Sequence, residues 1–140
     1  MSGNRQIQHF INIDAPAGHV WAVFTNPELT RKLGGEYITE WKQGSDFGWR
    51  DLEGNMLTTG MIVAIIPAKL LKIQLVDPLN KDRLISTITY EFNEYSGSTR
   101  LSAVEVIHYA VTDEEYAEAN EGWKEALFAV ADIAEKIGLQ

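Results

Sequence analysis

The segment TDEEYAEANEGWKEALFAVADIAEKIG, residues 112–138, decides the fold because its pattern predicts one long helix near the end of the chain. Thr112 and Glu115 have the spacing of a capping box, in which each side chain accepts a hydrogen bond from the backbone N–H of the other residue. Acidic residues in the first turn also interact favourably with the helix dipole. Gly138 is placed to end the helix.

One face of this predicted helix is apolar. Residues separated by three, four or seven positions form a single stripe: Tyr116, Trp123, Leu127, Val130, Ala134 and Ile137. Such a stripe is typical of a helix that packs against the remainder of its domain. Gly122 lies inside the helix, where it costs about 1 kcal/mol relative to alanine. We expect close packing or a slight bend at this position.

The chain before the helix has mainly the pattern of β-strands. Ile7, Ile11 and Ile13 share one parity of a half-buried first strand. Six further segments are separated by turn sequences: residues 36–41, 46–51, 57–66, 70–76, 84–93 and 99–109. The turns are too short for parallel crossover connections, so we expect neighbouring strands to pair as antiparallel hairpins.

Two short helices are predicted directly after the first strand. Pro16 is suited to the start of the first helix. Asn26 is a plausible cap for the second, and Gly34-Gly35 ends it. The order of elements uses the whole chain, so residues 1–140 are interpreted as one α+β domain with about seven strands.

Composition excludes several classes of function. The formal net charge is −8 and no basic cluster offsets it, so nucleic acid is not an expected partner. The absence of cysteine excludes disulfides and thiol chemistry. No apolar run approaches the roughly 18 residues of a membrane span, and residues 1–8 lack a secretion signal. We therefore expect a cytoplasmic protein.

Several short motifs occur in an order that resembles a known superfamily. Ile13-Asp14-Ala15-Pro16, followed by Val20-Trp21, is similar to the opening of START-like domains. Further matches resemble the branch named after the activator of heat shock protein 90 ATPase: Trp41 to Ser45, Phe47, Trp49-Arg50, Gly54, Gly60, Pro67, Leu70-Leu71, Thr99 to Leu101, Gly122-Trp123 and Leu127. The resemblance covers nearly the full chain. It implies a helix-grip fold, in which a curved antiparallel sheet wraps around the C-terminal helix and a cavity lies between them.

Residues predicted to face the helix are candidates for the cavity wall. They are Trp49, Met61, Val63, Leu71, Ile73, Ile88, Tyr90 and Ala103 on strands, and Trp123, Leu127 and Val130 on the helix. A β-bulge would shift this assignment by one residue. The alternative is that the same side chains fill a closed core.

Glu105 is the main polar candidate on the last strand. It has the same parity as Leu101, Ala103 and Ile107, which favours an inward orientation, where a carboxylate needs a partner. The alternative is a solvated Glu105 between buried valines. Arg50 or His108 are candidates to neutralise it. Many relatives carry histidine at the corresponding position, so no role of that histidine is carried over, and His108 is not its equivalent.

No metal site or cofactor is predicted. His9, His19 and His108 lie on different elements without the spacing of a zinc site. Asp77 and Asp82 are interpreted as turn residues. Common phosphate-binding, dinucleotide-binding and nucleophile motifs are not found.

Three functional hypotheses follow from the resemblance. The first is binding of a small hydrophobic or amphipathic molecule, with Glu105 and Tyr90 as polar anchors. The second is a cyclase-like or hydrolase-like enzyme, which two polar groups converging on Glu105 would favour. The third is a protein-interaction module, either chaperone-associated, of stress-response type, or a homodimer. An exposed apolar patch together with a filled interior would favour the third.

Overall fold

A computed structural model describes residues 5–137. Its strands are β1 (Arg5–Ile13), β2 (Gly35–Thr39), β3 (Asp46–Asp51), β4 (Met56–Ile66), β5 (Leu70–Asp77), β6 (Asn80–Tyr95) and β7 (Ser98–Ile107). Its helices are α1 (Ala17–Thr25), α2 (Pro27–Thr30), a 3₁₀ turn (Arg31–Leu33) and α3 (Asp113–Ile137). The predicted helix end at Gly138 lies outside the described residues.

All seven strands belong to one antiparallel sheet with the order β1-β7-β6-β5-β4-β3-β2. Strands β2 to β7 form a meander, and β1 returns to pair with β7, from Arg5 opposite Ile107 to Ile13 opposite Thr99. The predicted α+β class, the number of strands and the two short helices after β1 are confirmed. β6 begins at residue 80 rather than 84, because Pro78-Leu79 alone forms the turn between Asp77 and Asn80.

The short helices are capped by different means. Asn26 Oδ1 accepts a hydrogen bond of 3.0 Å from the backbone N–H of Glu28, which confirms its predicted role at the start of α2. In α1, the backbone N–H of Ala17 donates to Glu94 Oε1 on β6 at 2.6 Å. The sheet therefore supplies the cap that Pro16 cannot provide. Gly34 ends the 3₁₀ turn with a φ of 104°, a conformation that favours glycine.

The start of α3 is formed by the predicted capping box. The backbone N–H of Glu115 donates to Thr112 Oγ1 at 3.0 Å, and the backbone N–H of Thr112 donates to Glu115 Oε1 at 2.9 Å. The helix packs mainly against β1 and α1. Its stripe is buried at Leu127, Val130 and Ala134.

The core lies between the inner face of the sheet, α1 and the second half of α3. Ile62, Leu71 and Leu101 of the sheet are fully buried. Phe24 of α1 packs edge to face on Phe92, with ring centroids 5.4 Å apart. None of the helices within residues 5–137 is long and apolar enough to cross a membrane.

Close packing, one of the two expected reasons for Gly122, is not found. A Cβ atom added at this position would meet nothing within 4 Å outside its own helix. The glycine instead borders open space on the inner side of α3, described below.

Candidate functional site: a cavity between the sheet and the last helix

A cavity of about 520 Å³ lies between the inner face of the sheet and α3. Residues 122–130 of α3 form one side of it, and strands β3, β4, β5 and β6 contribute the facing wall. Six aromatic side chains contribute to the wall: Phe24, Tyr37, Phe47, Trp49, Tyr90 and Trp123. The interior is therefore not the closed core of the alternative interpretation.

Seven of the predicted wall residues do line this cavity. They are Trp49, Ile73, Ile88 and Tyr90 from the sheet, and Trp123, Leu127 and Val130 from α3. Leu71 and Ala103 also face inwards, but they are buried in the core beside the cavity rather than on its wall.

The prediction for β4 is wrong by one residue. Met61 is 40% exposed and lies on the outer face of the sheet, whereas its neighbour Ile62 is fully buried. The register between β4 and β5 shifts between Ile62 and Ala64, so Val63 lies in a β-bulge and does not line the cavity. The cavity residue of β4 is Thr58.

Other wall residues were missed, although some could have been found. Phe47 has the parity of Trp49 on β3, and Leu75 has the parity of Ile73 on β5, so alternation alone predicts both. Phe24 and Tyr37 lie on elements whose position over the sheet is set by tertiary packing. No local signal indicates that they reach the cavity.

The aromatic side chains form a connected belt along the wall. The ring centroid of Tyr37 lies 4.8 Å from that of Trp49 and 5.1 Å from that of Phe47. Tyr90 lies 4.9 Å from Phe24 and 5.7 Å from Trp123. Edge-to-face and tilted contacts of this kind hold the rings in defined positions. The belt therefore presents flat, apolar surfaces of fixed geometry to the cavity.

The hydroxyl groups of Tyr37 and Tyr90 add polarity to this belt. Burial raises the pKa of Tyr37 to about 12. Burial also raises the pKa of Tyr90 well above its ordinary value, with smaller contributions from Tyr37 and from the negative charge of Glu105. Both phenols therefore stay protonated at neutral pH and offer neutral hydrogen-bonding groups.

Glu105 faces α3, as its parity with the buried Ala103 and Ile107 predicted. Its Oε1 accepts a hydrogen bond of 2.8 Å from Nε1–H of Trp123. The two expected neutralising partners are engaged elsewhere: Arg50 pairs with Glu36, and His108 Nε2 lies 2.9 Å from the hydroxyl of Thr87.

A second, smaller space adjoins Glu105, and we call this shallow, largely open depression the side pocket. Its volume is about 320 Å³, and it is lined by Tyr90, Glu105, Ala119, Gly122, Trp123 and Ala126. Four of these residues also line the main cavity: Tyr90, Gly122, Trp123 and Ala126. The two spaces therefore share the wall formed by Tyr90 and Trp123.

An apolar groove of about 360 Å³ lies on the opposite, outer face of the sheet. We call it the outer groove, and its apolar walls include Ile38, Met56, Met61, Val76 and Pro78. Two methionines in this groove are well exposed, Met56 at 47% and Met61 at 40%.

His9 and His108 are engaged in separate contacts. His9 Nε2 lies 2.7 Å from the side-chain oxygen of Asn120, which joins β1 to α3. Across residues 5–137, no three His, Asp or Glu side chains come together as a potential metal site.

The antiparallel sheet, the long C-terminal helix and the aromatic cavity between them define a helix-grip protein of the START-like superfamily. The family model described as Activator of Hsp90 ATPase homolog 1-like protein matches residues 14–135, and the chain belongs to that family. No curated protein matches the sequence.

Solved structures share the same fold. ChR145 from Cytophaga hutchinsonii has a TM-score of 0.78 at 19% identity, with all of both chains covered. The Aha1 dimer from Colwellia psychrerythraea has a TM-score of 0.76 at 17% identity, covering 94% of this chain and 96% of the other. CalU16 from Micromonospora echinospora has a TM-score of 0.71 at 23% identity, covering 91% and 73%. At these identities the similarity establishes the fold alone.

Proposed function

We propose that this protein binds a small hydrophobic or amphipathic molecule in the cavity between the sheet and α3. The observation that carries the proposal is the cavity itself, whose volume of about 520 Å³ lies in the range of small-molecule sites. The proposed contacts are the seven predicted residues on its wall together with Phe24, Tyr37 and Phe47. The hydroxyls of Tyr37 and Tyr90 are the polar anchors.

The polar groups near Glu105 favour binding over catalysis. Tyr90 and Trp123 both approach this carboxylate, but neither side chain takes up a proton at neutral pH. An acid–base mechanism needs complementary proton donors and acceptors at the reacting atoms. Glu105 and the Tyr90 hydroxyl are an acceptor and a donor, as the enzymatic hypothesis expected. The pKa of Tyr90 is raised well above its ordinary value by burial, which makes its hydroxyl a weak proton donor at neutral pH, so we do not propose an enzymatic reaction.

The test fills the cavity with a larger side chain. Ala129 lines the main cavity from α3, whereas Ala117 is exposed on the same helix and lines neither space. We expect Ala129→Phe to weaken binding of the neutral fluorescent probe N-phenyl-1-naphthylamine by about tenfold or more, because the new ring occupies the site. The matched variant Ala117→Phe should bind the probe as the unchanged protein does.

A second measurement looks for the natural ligand. Native mass spectrometry of gently purified protein should show an added small mass that is lost on denaturation. Equal probe affinity of the Ala129→Phe and Ala117→Phe variants would contradict binding in this cavity. Failure of the unchanged protein to bind any neutral apolar probe would contradict the function itself.

A second candidate is assembly of two copies through the outer groove. Exposed apolar side chains gathered in one groove are typical of interaction surfaces, and the Colwellia psychrerythraea relative was solved as a dimer. The filled interior that would have favoured an interaction role is not present, so assembly is proposed beside ligand binding and not instead of it.

Sedimentation equilibrium tests this assembly. Met61→Glu places a charge in the outer groove and should convert a dimer to a monomer, because burying an unpaired carboxylate is costly. Phe10→Glu is the control, since Phe10 is 59% exposed on β1 at the far edge of the sheet. A protein that is monomeric before any substitution, or a dimer unaffected by Met61→Glu, would contradict assembly through this groove.

A further inference from the structure

We propose that the side pocket at Glu105 binds the ammonium head group of a cationic amphiphile whose apolar body occupies the main cavity. This inference rests on the ligand-binding function proposed above and names the chemical class of the ligand. It is carried by three features of the side pocket: an incompletely paired carboxylate, two aromatic walls and open space beside the helix.

The carboxylate of Glu105 has capacity for a further donor. Trp123 donates to Oε1, and within residues 5–137 Oε2 has no hydrogen-bond partner and Glu105 forms no ion pair. A half-buried carboxylate is stabilised most by a charged donor, because a charge-assisted hydrogen bond is stronger than a neutral one. An ammonium group supplies both the hydrogen bond and the opposite charge, whereas a second carboxylate would be repelled.

The aromatic walls suit the same head group. The rings of Tyr90 and Trp123 lie 5.7 Å apart at an interplanar angle of 59°, and both line the side pocket. A cation within about 6 Å of such rings is attracted to their negative faces, and an indole is the best of these surfaces. The carboxylate attracts a positive charge, and a head group that also reaches the face of either ring gains a cation–π contact.

The helix leaves room for a head group at this point. Ala119, Gly122 and Ala126 carry the smallest side chains and line the pocket from α3. Gly122 and Ala126 also border the main cavity, so a molecule can extend from one space to the other past the edge of Trp123. The formal charge of −8 on the protein further favours the approach of cations over anions.

The test uses three probes with the same eight-carbon chain and different head groups: octylammonium, octan-1-ol and octanoate. Binding is measured by isothermal titration calorimetry at pH 7 with the unchanged protein. We expect octylammonium to bind about tenfold more tightly than octan-1-ol, from the combined ion-pair and cation–π contributions, and octanoate to bind most weakly. Octanoate binding as tightly as octylammonium would overturn the inference.

Two variants test whether the preference for octylammonium arises at Glu105. Glu105→Gln keeps an oxygen to accept the Trp123 hydrogen bond but removes the negative charge. This variant should bind octylammonium about as tightly as octan-1-ol, and its affinity for octan-1-ol should be unchanged. Glu118→Gln is the matched control, because Glu118 is an exposed carboxylate on α3 that lines neither space. A preference for octylammonium that survives in Glu105→Gln, or that is lost equally in Glu118→Gln, would overturn the inference.

The outcomes also separate the two proposals. Equal binding of all three probes would overturn the head-group assignment and leave the ligand-binding function standing. If none of the three probes nor N-phenyl-1-naphthylamine binds, both proposals are contradicted.

Discussion

Trp123 and Glu105 join the last helix to the last strand through one hydrogen bond of 2.8 Å, from the indole nitrogen to a carboxylate oxygen. The bond crosses the boundary between the main cavity and the side pocket, because Trp123 lines both spaces. The pair therefore fixes the position of the indole ring that forms the shared wall.

Loss of this hydrogen bond should lower stability modestly. Trp123→Phe retains an aromatic ring but leaves the Glu105 carboxylate without its donor, so we expect the free energy of unfolding to fall by about 1–2 kcal/mol. Urea denaturation of Trp123→Phe, Glu105→Ala and the double variant measures the coupling, because alanine removes the acceptor of the hydrogen bond. If the two single effects simply add, the hydrogen bond does not contribute to stability.

The capping box makes a prediction that is independent of the cavity. Thr112→Ala removes the hydroxyl that accepts the N–H of Glu115, and should lower the free energy of unfolding by about 1 kcal/mol. Thr112→Ser retains this acceptor and serves as the control. Chemical denaturation should show that serine restores most of the stability lost in the alanine variant. Equal loss in both variants would contradict a capping role.

Gly122 should be replaceable at a gain in stability. Alanine has the higher helix propensity and its Cβ would meet no neighbour within 4 Å, so Gly122→Ala should raise the free energy of unfolding by about 0.5–1 kcal/mol. Gly60→Ala is the contrasting variant, because its Cβ would collide with the backbone carbonyl of Gln74 on β5. Thermal denaturation should move in opposite directions for the two variants, and destabilisation by Gly122→Ala would contradict the open space beside α3.

The cavity phenols predict a loss of stability at high pH. The pKa of Tyr37 is raised to about 12 in the folded protein and is near 10 in the unfolded chain, so folding retains a proton that the unfolded chain releases. The contribution of the neutral Tyr37 to the free energy of unfolding is therefore complete below about pH 10 and is lost as the pH rises towards 12. Denaturation between pH 9 and pH 12 should show a smaller decline for Tyr37→Phe than for the unchanged protein. An identical decline would contradict the raised pKa, and Tyr109→Phe, at an exposed position, controls for the substitution.

Local patterns were sufficient for most of the fold. The capping box and alternating strands depend on residues close in sequence, which is why their positions were confirmed. The errors arose where a single residue changes the register. Met61 has the opposite parity to the buried Ile62, and Val63 occupies a β-bulge that no turn residue marks, so neither residue lines the cavity as predicted.

The site was predicted less completely than the fold. Strand parity placed Ile73, Ile88 and Glu105 correctly, because all three lie in regularly paired segments. The side pocket was not predicted, since it depends on where α3 crosses the sheet. That crossing is set by the packing of α3 on β1 and α1, which the sequence pattern does not specify.

The pairing of β1 with β7 has a consequence for how the chain folds. Ile13 pairs with Thr99, so the first strand cannot pair with β7 until most of the chain has been synthesised. Closing so long a loop costs entropy before any contact forms, which slows folding of sheets with distant pairings. During synthesis, hairpins from β2 to β6 are able to form first, while β1 remains without its partner strand. We expect the last step of folding to join both ends of the chain together, so that the first strand and the last helix lose protection from hydrogen exchange as one unit.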